Sequence, residues 1–142
     1  MKNVPTLILS LLMLGFTPLV AVAEDETPLE KEMATISSAY KQLGRQARRE
    51  KYDFDRLTEL FTAAKTASDK SAELVPEKLK DLEGEAKDKA IAHYKKEMAA
   101  LSKQIEGILA SLKAKDGKTL KAAYEKLKEA KAHGHEEFIE DE

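Results

Sequence analysis

Apolar residues recur every three or four positions along most of the chain, the period of a helix with one buried face. Leu29, Met33, Ile36, Tyr40, Leu43 and Ala47 follow these steps. At 100° per residue they fall within about 40° of one line, which predicts a helix running to about Arg48. Thr27 is its expected N-cap, with Pro28 at the first helical position and Glu30 favourable to the dipole. A second helix is predicted from near Asp53, where Phe54, Leu57, Phe61, Ala64, Ser68 and Ser71 form a weaker stripe that fades toward Leu74. The step Val75-Pro76 breaks it, and Gly84 marks a second break. Residues 76–84, with Leu79 and Leu82 amid charge, form a connection with some helical content. The third helix carries Lys87, Ile91, Tyr94, Met98, Leu101, Ile105, Ile108 and Leu112. Asp116-Gly117 signals a tight turn. The fourth helix carries Leu120, Ala123, Tyr124, Leu127 and Ala130, then Gly134, His135 and Phe138.

Four such helices of about 20 residues joined by short connections predict an all-α fold, an antiparallel up-down-up-down four-helix bundle. The first and fourth helices are then antiparallel neighbours. Residues 1–23 stand apart from this pattern. Lys2 precedes an uncharged apolar run from Thr6 to Phe16, and Ala21-Val22-Ala23 is a small-residue cleavage site. This is the pattern of a secretory signal peptide, removed after Ala23. Residues 24–142 are then a single exported four-helix-bundle domain, expected in a bacterial periplasm and without stable membrane association after cleavage.

Composition narrows the chemistry. The chain has 142 residues, 24 Lys+Arg against 26 Asp+Glu, and no Cys. The slight acidity argues against a nucleic-acid binder, which needs a basic surplus. The lack of Cys excludes a disulfide scaffold, a thiolate metal site and covalent haem attachment. There is no Gly-rich phosphate loop, no G-x-S-x-G and no H-E-x-x-H, and no enzyme is expected. The bundle di-iron motif needs Glu three residues before His, but Ala90, Ala130 and Ala132 stand there.

The histidines differ in placement. His93 falls on the solvated flank of the third helix and His133 on the outer face of the fourth, whereas His135 lies at the edge of the core stripe. Met33 sits in the middle of the first stripe, about five residues from the start of its helix, and His135 about four residues before the end of the fourth. In antiparallel neighbours these two reach one level at one end of the bundle. A thioether and an imidazole facing one pocket are a haem-iron ligand pair. His133-Gly134-His135-Glu136-Glu137 and the acidic tail also offer donors for a free divalent metal.

The segment "PLEKEMATISSAYKQL" resembles the opening helix of the cytochrome b562 family, and "LKAKDGKTLKAAYEKLKEAKAHGHEEF" is similar to its closing hairpin and last helix. It also resembles the related cytochromes c-prime, whose two haem-attaching cysteines are matched here by Lys131 and Gly134. The resemblance implies Met33 and His135 as axial ligands of one non-covalent haem b, with electron transfer to an unidentified redox partner. Lys131 stands where it could meet a haem propionate. A monomer is expected. The alternative is a haem-free exported bundle of the same ancestry, with a structural, partner-binding or metal-binding role.

Overall fold

The computed structural model describes residues 26–139, with side chains to residue 129. The predicted signal segment, residues 1–23, lies outside the described residues. The described fold is all-helical. Four long helices, α1 (Pro28–Arg49), α2 (Phe54–Glu73), α3 (Gly84–Lys113) and α4 (Gly117–Ile139), are accompanied by a single helical turn, Glu77–Lys80.

Local chemistry sets the helix ends. Thr27 and Glu30 form a capping box: the Thr27 side chain accepts from the Glu30 amide at 3.2 Å, and Glu30 Oε2 accepts from the Thr27 amide at 2.7 Å. Asp53 caps α2 by accepting from the Arg56 amide at 3.0 Å. Asp116 caps α4, accepting from the Lys118 and Thr119 amides, both at 3.1 Å, and from the Thr119 hydroxyl at 2.5 Å. The Thr119 side chain, then its amide, holds the Asp116 carboxyl below its ordinary range. The Asp-Gly signal is therefore a cap that starts a helix, with the reversal just before it. There the α3 C-terminus closes with the Lys115 amide on the Leu112 carbonyl and the Asp116 amide on that of Ser111.

Helix α3 has 30 residues and begins at Gly84, longer than the periodicity alone predicts. Gly84 has φ +61, so it both ends the connection and opens the helix. The polar members of the α2 stripe keep its face buried almost to the end of the helix. Ser68 and Ser71 are fully buried, and their hydroxyls donate to the Lys65 and Ala67 carbonyls at 2.9 and 2.7 Å.

The main core joins Ile36, Ala39 and Leu43 of α1, Leu57, Phe61 and Ala64 of α2, Ile105, Ile108 and Leu112 of α3, and Leu120 of α4. Each fully buried large side chain contributes about 1.5–3 kcal/mol. Cross-helix pairs give the relative direction of neighbours. Lys65 of α2 meets Glu106 of α3, Asp69 meets Ser102, and Ser71 meets Tyr94. Residue numbers rise on one helix as they fall on the other. Gly44 and Glu50 of α1 likewise meet Tyr124 and Lys121 of α4.

Candidate haem-ligand end of the bundle

Met33 lies in the second turn of α1, a position the capping box holds in register. Glu32 beside it pairs with Lys70 of α2 at 3.7 Å. The Tyr94 hydroxyl donates to the Ser71 carbonyl at 2.5 Å, tying the start of α3 to the end of α2. Met33 therefore sits where α2 ends, the 76–84 connection crosses and α3 begins. A second apolar cluster occupies this end: Leu79 of the short turn with Ala90, Tyr94 and Met98 of α3. Met33 packs against both this cluster and the main core, yet remains half-buried. Its thioether is thus held between apolar walls without being sealed by the described side chains.

Burial shapes the titratable groups nearby. It pushes the Tyr94 hydroxyl up to about 12 and drives that of Tyr40, two turns along α1 from Met33, higher still. Tyr40 stacks edge-on against Phe61, with centroids 5.6 Å apart, and its buried hydroxyl has no hydrogen-bond partner.

About three turns along α1 from Met33, Tyr124 of α4 lies against Gly44. The tip of Tyr124 reaches α1 at Gly44 because that residue has no side chain: a Cβ there would lie 2.7 Å from Tyr124 Oη and 3.0 Å from two of its ring carbons. The backbone of His135 falls within α4, but its side chain lies outside the described residues, as do those of Lys131 and His133. The metal-donor run 133–137 and the acidic tail lie there too. His93 is exposed, as its place on the stripe predicts. Of the two expected ligands, then, the described structure positions Met33. It also reveals Met98, a second thioether that is buried at the same end; its place in the α3 stripe gave it no distinguishing signal.

The donor chemistry fits haem: a soft thioether among apolar walls suits a porphyrin and its iron. The open surface groove on the α2–α3 face, lined by Ser68, Asp69, Ala72 and Met98 among others, does not include Met33. It arises where small residues face each other, and Asp69 at its rim is already held by Lys65 and Ser102.

Neither the curated proteins nor the solved structures give a match to the chain. The sequence profile of the family described as cytochrome b562 matches residues 28–138, from the first turn of α1 almost to the end of α4. That span covers all four long helices and the Met33 end just described. The chain belongs to the cytochrome b562 family, whose members are haem-binding electron carriers.

Proposed function

We propose that this protein is an exported b-type cytochrome that holds one non-covalent haem between Met33 and His135 and carries electrons. The observation that carries the reading is the register of α1 on α4. Met33 lies eleven residues before Gly44, and His135 eleven residues after Tyr124. Eleven residues make about three turns and 16 Å of rise. Gly44 touches Tyr124, so antiparallel helices that keep their period bring positions 33 and 135 to one level on facing sides. The opposed numbering of the cross-helix pairs supports the up-down-up-down bundle that this requires.

When bound, haem supplies one-electron redox chemistry, and Met/His ligation raises its potential. The chain's own residues do the rest. Met33 offers the thioether, and the capping box at Thr27 sets the rotation of α1 that aims it. The cluster of Leu79, Tyr94 and Met98 excludes water from that end. With both Met33 and His135 holding the iron, the group would supply electron carriage rather than a substrate site. Residues 1–23 act as a cleaved signal peptide, the periplasm is the compartment, and residues 24–142 work as a monomeric domain.

The test is an absorbance titration of the purified chain with haem, in oxidised and dithionite-reduced forms. A saturating 1:1 complex with sharp low-spin bands on reduction is the expected result. Met33→Ala and His135→Ala should each abolish the low-spin spectrum. A spectrum indistinguishable from free haem would reject the reading and leave a haem-free bundle.

A further inference from the structure

The end of the bundle away from Met33 is strongly basic. Arg45, Arg48 and Arg49 close α1, Lys51 follows in the loop, and Lys113, Lys115 and Lys118 surround the α3–α4 reversal. All seven are exposed, and none lies within ion-pair distance of a carboxylate among the described residues. The two loops form one surface. Glu50 pairs with Lys121 across them, and the Tyr52 ring lies over Gly117. Most nearby acids are engaged: Glu50 with Lys121, Asp53 and Asp116 as helix caps, Glu59 with Arg56; Asp55, in the first turn of α2, is exposed.

Helix dipoles do not account for this set. They favour Arg48, Arg49 and Lys113 at C-termini, but Lys118 stands in the first turn of α4, where a cation is disfavoured, and that turn has no acid. Lys115 is also costly where it stands. It has φ +51, a left-handed conformation at a helix end that glycine adopts more easily.

We propose that this end adsorbs reversibly to an anionic lipid surface. Protein interfaces are depleted in Lys and anchored by buried aromatic residues. This patch combines four lysines with three arginines, and the nearby aromatic residues Tyr52 and Phe54 are half-buried rather than presented. Clusters of this size match the electrostatic attraction of anionic headgroups. The segregation matters because the chain as a whole carries a net charge of -2 and is otherwise repelled. Arg49 lies about 24 Å along α1 from Met33, so adsorption leaves the Met33 end free. The inference stands whether or not haem binds.

The experiment is co-sedimentation of the purified chain with phosphatidylcholine vesicles and with vesicles containing phosphatidylglycerol. Binding to the anionic vesicles alone is expected at about 0.02 M salt, with loss at about 0.5 M. Arg48→Gln, Arg49→Gln and Lys118→Gln should each lower partitioning about fivefold. Lys115→Gly should lower it likewise while raising the denaturation midpoint, opposite signs that a purely structural role would not give. Lys78→Gln, on the exposed surface of the other end, should leave partitioning unchanged. The protein used is residues 24–142, so the apolar residues 1–23 do not themselves partition into the vesicles. Equal binding to both vesicle types, no binding to either, or equal loss with Lys78→Gln would each overturn the proposal.

Discussion

At the scale of single residues, polarity and position pull against each other in two tyrosines with buried hydroxyls. Tyr40 buries a hydroxyl that lacks a partner, which costs more than it returns. Tyr40→Phe is expected to stabilise the haem-free protein by about 1 kcal/mol in urea denaturation. Tyr94 is the contrasting case, because its hydroxyl donates to the Ser71 carbonyl. Tyr94→Phe should cost about 1 kcal/mol. The alkaline limb follows from the same burial. A hydroxyl whose folded pKa is raised to about 12 contributes stability that is whole below its ordinary value of 10.0. That stability is lost as pH rises from 10 through 12. Unfolding followed by far-UV dichroism should fall across this window, and less steeply in Tyr94→Phe. A flat alkaline limb in the parent would refute it. Met33 differs from both: it is half-buried and polarisable, so Met33→Ala should cost about 1–2 kcal/mol without haem, less than the 2–5 typical of a fully buried methionine.

The helices themselves follow local rules closely. Thr27, Pro28 and Glu30 announce the start of α1, and all three take those roles. Such signals are legible because a cap involves only residues three apart. The end of α3 departs from the rule, since a lysine holds the left-handed position where glycine fits best. Lys115→Gly is therefore expected to raise stability by about 1 kcal/mol, read as a shift in the urea midpoint without change in slope. Gly84→Ala should do the reverse by a similar amount, because its φ of +61 strains any side chain even with open space around it. The buried serines show how polar residues can belong to an apolar face. Ser68 and Ser71 weaken the apolar stripe of α2, yet both hydroxyls are satisfied by their own helix, so the face stays buried to its end.

Across the whole molecule, the decisive contact is Gly44 on Tyr124. It marks a level at which α1 and α4 meet. Gly44→Ala adds helix propensity worth about 1 kcal/mol but drives a Cβ into the Tyr124 ring. The expected net effect is destabilising, with weaker haem binding because the two helices separate. Combining it with Tyr124→Ala should give less loss than the separate effects added together. Additive losses in that double-mutant cycle would show the contact to be slack. The contacts of Glu50 with Lys121 and of Tyr52 with Gly117 join the two basic loops at the end of α1 away from Met33.

The sequence by itself determined the helices, the Thr27 cap, the apolar faces and Met33 as a thioether in the middle of a stripe. These rest on period and on neighbours within one turn. Only the tertiary structure decided that Gly44 is a contact point, that Met33 stands between two apolar clusters, and that seven cations from separate loops form one surface. Each of these depends on residues far apart in sequence, and nothing in the local pattern distinguishes Gly44 from any other helical glycine until Tyr124 lies against it.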